Sequence, residues 1–162
     1  MGIKKYTVVI LLNQDGSKVL LQVKDHTLFA GMLNGVGGKI EDGEQPVNGA
    51  LREIFEETSI QPGGLSRFEW LGTLTLPEQC DDRNPDKYPE LWFFGGIVKD
   101  ETLAVKPDGA TEEIGWYMLD PDSLPITSLQ TAGDNNLEYF IGRARRILFG
   151  GQDASHGTGD AL

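Results

Sequence analysis

Apolar and polar positions along the chain follow two different periods. Tyr6 to Leu12 is a β-branched, apolar run that predicts a strand; "NQDGSK" carries turn signals, and Val19 to Val23 predicts the next strand. From Leu28 to Gly43 glycine recurs too often for a regular element. The period then lengthens. Val47, Ala50, Leu51, Ile54 and Thr58 fall on one helical face, and Pro46 suits the first turn, where its missing N–H costs nothing. After "QPGG", Phe68 to Leu76 predicts a strand and Pro77 to Pro89 an acidic, proline-containing loop. Leu91 to Val98 and Glu113 to Leu119 predict further strands. Leu137 to Phe149 predicts a second amphipathic helix with Arg143, Arg145 and Arg146 outward. Residues 150–162 show no periodicity and are expected to be a disordered tail after a single domain over 1–149. Mixed strands with two helices in one short domain predict an α+β sandwich.

Composition narrows the functional classes. A chain of 162 residues, 39% hydrophobic and 24% charged, has the make-up of an ordinary globular domain. No apolar run approaches the roughly 20 residues that span a bilayer. The basic, apolar N-terminus lacks a small-residue cleavage site and reads as the first strand; Tyr6 stands where a lipidation signal at Gly2 would need Ser or Thr. The single cysteine, Cys80, excludes an internal disulfide and a multi-cysteine zinc site, so a reducing, cytoplasmic setting is expected. A net charge of −11 argues against a nucleic-acid polymer as partner, because such binding needs a basic surface. A small polyphosphate remains open if cations neutralise the repulsion.

Carboxylates crowd the segment "GGKIEDGEQPVNGALREIFEETSI". On the predicted helix Glu53, Glu56 and Glu57 stand at i, i+3 and i+4 and project from one side, roughly 120° round the axis from the apolar stripe. Arg52, four residues before Glu56, supplies too little positive charge for such a cluster. An external cation is the remaining answer, and all-oxygen ligands select hard ions, Mg²⁺ or Mn²⁺. "NGVGGK" sets bare backbone ahead of the helix, where a carbonyl can approach a metal or phosphate; Glu44, near the helix N-terminus, can join the cluster. Taken alone, "EIFEE" is more commonly the solvated face of an acidic helix.

The full spacing separates these readings. Gly38, five residues, Glu44, seven residues, Arg52-Glu53-Ile54-Phe55-Glu56-Glu57 and Thr58-Ser59-Ile60 resemble the signature of the Nudix hydrolases, G-x5-E-x7-R-E-U-x-E-E-x-G-U with U apolar. Ser59 departs from it: the family has glycine there, and serine in a left-handed C-cap costs about 1 kcal/mol. The resemblance implies a Nudix fold, a mixed β-sheet sandwiched between α-helices, and hydrolysis of a nucleoside diphosphate linked to a further moiety. It implies that Glu53, Glu56, Glu57 and the Gly37 carbonyl ligate Mg²⁺, with Glu53 alternatively the general base and Arg52 orienting the glutamates. Glu112 or Glu113 would add a carboxylate from a separate loop; an ordinary surface loop explains that pair equally well.

Outside this signature, "VLLQVK" followed by "FAGMLNGVGGKIEDGE" is similar in order to the MutT-like branch, which hydrolyses oxidised purine nucleoside triphosphates. That resemblance implies substrate contacts for Lys24, Asn34, Lys39, Asp134 and Asn135, the last two in a base-reading loop, "AGDNN". Amide and carboxylate side by side can address a purine edge. Ala132 stands where those relatives carry a stacking tryptophan. Asp134-Asn135-Asn136 also suit a helix N-cap before Leu137, and Asn34 a glycine-flanked turn. The expected function is a Mg²⁺-dependent nucleoside triphosphate pyrophosphohydrolase. The alternatives are hydrolysis of ADP-ribose or a dinucleoside polyphosphate, and a Nudix-fold binding module without catalysis.

Overall fold

The computed structural model describes residues 3–23, 33–75, 89–119 and 136–150. In chain order these form β1 (Lys5–Leu12), β2 (Lys18–Val23), β3 (Leu33–Asn34), α1 (Pro46–Thr58), β4 (Leu65–Thr75), β5 (Glu90–Val98), β6 (Glu113–Met118) and α2 (Asn136–Phe149). The sheet order is β3-β2-β1-β5-β4, with β6 paired to β2. β1 runs parallel to β5 from Lys5↔Glu90 to Leu12↔Ile97, and the other strand pairs are antiparallel, so the sheet is mixed.

β1 is buried on both faces from Val8 to Leu12, the pattern of a central strand covered on two sides. Alternate residues feed two cores. Val8, Ile10, Leu12, Phe93 and Ile97 pack with Leu137, Phe140, Ile141, Ala144 and Leu148 of α2. Val9, Leu11, Leu20, Phe94 and Val98 pack on the opposite face with Ala50 and Ile54 of α1 and with Ile60. Phe93 stacks on Phe140 with ring centroids 3.7 Å apart, and Phe68 on Phe94 at 5.4 Å. The molecule is an α/β/α sandwich, as the family resemblance implies. Among the described residues no helix is long and apolar enough to cross a membrane.

β2 leaves β1 after the pairs Leu11↔Leu20 and Leu12↔Val19, and continues along β6. The edge of β1 that this exposes is taken by the glycine-rich segment. Thr7 N–H donates to the Gly38 carbonyl at 2.8 Å, Val9 N–H to the Val36 carbonyl at 2.6 Å, and Ile40 N–H to the Lys5 carbonyl at 2.9 Å. A Cβ at Gly37 would stand 2.1 Å from the Thr7 carbonyl oxygen, so only glycine permits this approach. The segment that sequence leaves irregular therefore pairs with the sheet, through β3 and isolated bridges.

Three other expectations shift. "QPGG" contributes a short 3-10 helix, Pro62–Gly64, and β4 starts directly after it at Leu65. Val47 is 41% exposed; Gly49 and Glu53 join the buried residues of α1 instead. Arg145 and Arg146 are exposed, whereas Arg143 turns inward and its Nε donates to the Leu71 carbonyl. A bulge between Trp70 and Gly72 interrupts the β4–β5 register at that carbonyl. Residues 76–88 and 151–162, the expected acidic loop and tail, lie largely or wholly outside the described residues.

Ser59 ends α1 in the left-handed conformation, φ 64° and ψ 4°. Its N–H donates to the Phe55 carbonyl at 2.9 Å and its hydroxyl to the Val105 carbonyl at 3.0 Å. Val105 N–H returns to the Thr58 carbonyl at 2.8 Å. One side-chain hydrogen bond contributes about 1 kcal/mol, comparable with the left-handed cost that glycine would avoid.

Candidate active site

Arg52, in the second turn of α1, gathers the acidic residues. Its Nε and Nη2 hold the two Glu44 oxygens at 2.9 and 3.0 Å, a two-pronged pairing that fits a planar guanidinium. Nη1 donates to Glu53 Oε1 at 2.8 Å and to Glu56 Oε2 at 3.1 Å, and Nη2 to the Lys39 carbonyl at 2.9 Å. Glu41 N–H also donates to Glu44 Oε2, at 2.9 Å. The hydrogen bonds from Arg52, then that from Glu41, hold the Glu44 carboxyl down at about 2. The Glu44 contact, joined by Glu53, raises the guanidinium above its already high value. Arg52 therefore carries a permanent charge among three carboxylates.

Glu53 is 9% exposed and rests against Gly38, where a Cβ would come within 2.6 Å of its carboxylate atoms. Glycine at this position leaves room for that carboxylate. Glu57 Oε2 accepts from Gly37 N–H at 3.1 Å, which ties the last turn of α1 to the glycine pair. The carbonyls that accept from β1 here are those of Val36 and Gly38; the Gly37 carbonyl is not among them.

Glu56, Glu57, Gly37 and Gly38 line a cavity of about 400 Å³ together with Gly109, Ala110, Thr111, Glu112 and Gln22. Gln22 faces this layer because Leu20, two residues earlier on β2, belongs to the α1 core. Its Nε2 donates to Glu112 Oε2 at 2.6 Å. The cavity walls thus carry hard oxygen anions from two separate parts of the chain.

Among the described residues no three histidine, cysteine or acidic side chains are gathered closely enough to hold a metal ion as they stand. Each of these carboxylates is hydrogen-bonded within the protein: Glu53 and Glu56 to Arg52, Glu57 to Gly37 N–H, and Glu112 to Gln22. The donor set still fits Mg²⁺, which keeps several waters and binds through one or two carboxylates plus substrate phosphates.

The residues singled out from sequence divide accordingly. Arg52, Glu44 and Glu53 form one hydrogen-bonded group, linked through Glu56 to the cavity lined by Glu57, Gly37, Gly38 and Glu112. Glu113 does not join them: its side chain is 72% exposed and pairs with Lys106. Lys39 has an exposed side chain and contributes its carbonyl to Arg52. Asn34 lies across from Gln22 in the β2–β3 pair, and its Oδ1 accepts from Gly35 N–H at 2.8 Å, a local bond of the kind that favours turns. Lys24, Asp134 and Asn135 lie outside the described residues. Gln22 escaped sequence reasoning, although a lone amide inside "VLLQVK" is a visible interruption of an apolar strand.

The sequence pattern of the NUDIX domain matches residues 3–139. The chain belongs to the Nudix family. Among curated relatives of this Nudix chain, the oxidized purine nucleoside triphosphate hydrolase of Mus musculus is 37% identical over 81 residues, 47% of this chain and 49% of that protein. The 8-oxo-dGTP diphosphatase of Escherichia coli (strain K12) is 32% identical over 87 residues, 54% of this chain and 60% of that one. The match thus spans about half to three-fifths of the length of these relatives. The NUDIX domain of Shewanella oneidensis NrtR, solved in complex with ADP ribose, shares the fold: TM-score 0.68 at 21% identity, over 91% of this chain and 90% of that one. Nudix hydrolases form an enzyme family that generally uses divalent metal cations.

Proposed function

We propose that this Nudix chain is a Mg²⁺-dependent pyrophosphohydrolase of nucleoside triphosphates, with Mn²⁺ able to substitute. It cleaves an oxidised purine nucleotide such as 8-oxo-dGTP to the monophosphate and pyrophosphate. The observation that carries this reading is the cavity that Glu56 and Glu57 of α1 line together with Glu112 and the Gly37-Gly38 backbone. Glu56, Glu57 and Glu112 would hold the cation, with Glu53 and the Gly37 carbonyl completing the oxygen set. When bound, the cation neutralises phosphate oxygens and makes water a better nucleophile.

The chain's own groups supply the rest. Arg52 fixes Glu53 and Glu56 relative to the glycine pair, which removes the reorganisation that free side chains would require. As the alternative to a ligand role, Glu53 would accept the proton of the attacking water as its oxygen bonds to phosphorus and pyrophosphate departs. The purine preference is supported by the names of the two curated relatives and by Asn34, which β3 sets opposite Gln22 on the site's side of the sheet. Asp134 and Asn135 complete the base-contacting set in this proposal, with Lys24 a further substrate contact.

The test is a turnover screen in Mg²⁺ across 8-oxo-dGTP, dGTP, ADP-ribose and dinucleoside polyphosphates, with products resolved by chromatography. The oxidised triphosphate is expected to give the highest kcat/KM and to release pyrophosphate. ADP-ribose as the best substrate would overturn the preference. Glu56→Gln is expected to lower kcat at least about 100-fold; undiminished turnover would remove the cation site.

A further inference from the structure

We infer that Gln22 is a positioning residue for this reaction, present in β2 to hold Glu112 at the cation cavity. The inference rests on the cation reading above and adds to it a residue to which neither the Nudix signature nor the substrate resemblance gives a role.

Gln22 is 0% exposed in a strand whose neighbours are Leu20, Leu21 and Val23. A buried amide needs partners for both its ends, and among the described residues this one has a partner for only one. Nε2 donates to Glu112 Oε2 at 2.6 Å, while Oε1 is buried and accepts no hydrogen bond from the described residues. Turning the amide over would not help, because it would set a carbonyl oxygen against a carboxylate. An unpaired buried acceptor is destabilising, and leucine or methionine at this position would fill the strand without that cost. Fold stability therefore does not account for a glutamine here.

The geometry gives the alternative. β6 pairs with β2 through Gln22↔Ile114, so Glu112 lies two residues beyond the register partner, on the same side of the sheet. Glu112 itself precedes β6 and stands in the loop that carries Gly109 and Thr111 along the cavity. The amide of a rigid central strand ties this loop carboxylate to the fixed frame that already positions Glu56 and Glu57. Like charges lining one cavity repel, and a fixed donor opposes displacement of Glu112.

Mn²⁺ affinity measured by titration without nucleotide, on the full chain, tests this, alongside the melting temperature in EDTA. Glu112→Ala and Gln22→Leu are each expected to weaken Mn²⁺ binding about 10- to 100-fold. The double variant is expected to bind no more weakly than Glu112→Ala alone, because Gln22 acts through that carboxylate. Gln22→Leu is expected to melt at or above the wild-type temperature, and Gln22→Met likewise. At saturating Mn²⁺ the nucleotide KM of Gln22→Leu should stay within about twofold of wild type, an expectation that follows from a role in holding the cation ligand. A Gln22→Leu protein that binds Mn²⁺ like wild type overturns the role, as does additivity in the double variant or a fall in melting temperature in both Gln22 variants. Wild-type protein that binds no Mn²⁺ overturns the cation site itself, and the role of Gln22 with it.

Discussion

Arg52 and Glu44 show how one pair of side chains can matter to stability and chemistry together. Glu44 is ionised at about 2 in the folded protein against an ordinary value of 4.5. A carboxyl depressed on folding stabilises the native state above its unfolded value, and that contribution is lost as pH falls toward the folded one. Wild type should therefore exceed Glu44→Gln in unfolding free energy by about 1–3 kcal/mol at pH 7, with the gap closing between about pH 4.5 and pH 2. Urea unfolding of both proteins at pH 7 and pH 3 measures this; a gap of equal size at both would show that ionisation contributes nothing. The glycine pair separates the two kinds of consequence. A Cβ at Gly38 meets the far end of a flexible glutamate, whereas at Gly37 it meets the Thr7 backbone. Gly38→Ala should keep its melting temperature within about 3 °C and displace Glu53, lowering kcat at least about 10-fold. Gly37→Ala should lose about 3 kcal/mol, roughly 6–12 °C. Equal thermal losses in the two variants would sink the distinction.

The elements around the site combine what local sequence specifies with what only pairing decides. The spacing of Glu53, Glu56 and Glu57 on α1 was legible because helical periodicity alone puts them on one side. Burial of Glu53 was not, since it depends on Gly38 arriving from another segment, and the same holds for the inward turn of Arg143, which answers a bulge in β4. The parallel pairing of β1 with β5 and the departure of β2 toward β6 join residues far apart in the chain, for which a linear pattern carries no signal. Gln22 was visible as an anomaly, but its meaning required Glu112 beside it. Ser59 lies between these cases. Its left-handed conformation follows from the helix stop, while the Val105 carbonyl that receives its hydroxyl comes from a distant loop. Ser59→Ala keeps the conformational cost and loses the hydrogen bond, so it should destabilise by about 1 kcal/mol. Ser59→Gly loses the bond and removes the cost, leaving stability within about 0.5 kcal/mol of wild type. Denaturant midpoints of the three proteins decide it; an alanine variant as stable as wild type would leave the serine unexplained.

At the scale of the whole molecule, the sheet puts the proposed site and the α2 core on opposite faces. The α1 layer tolerates features that weaken a fold: a half-paired amide at Gln22, a buried carboxylate at Glu53, and several acids around one guanidinium. The α2 layer has an apolar core in which Phe140 stacks on Phe93 and lies under the backbone at Gly72. Only the width of β1 and β5 separates the two, yet alternate side chains point opposite ways, so a change in one core need not reach the other. Phe140→Leu should remove the ring stacking and leave a small void, lowering stability by about 1–2 kcal/mol, some 2–8 °C at this chain length. Its Mn²⁺ affinity and kcat, measured well below the melting transition, should remain within about twofold of wild type. A parallel fall in cation affinity would mean that α2 packing sets the positions of Glu56 and Glu112 through the sheet, and that the two faces are mechanically one.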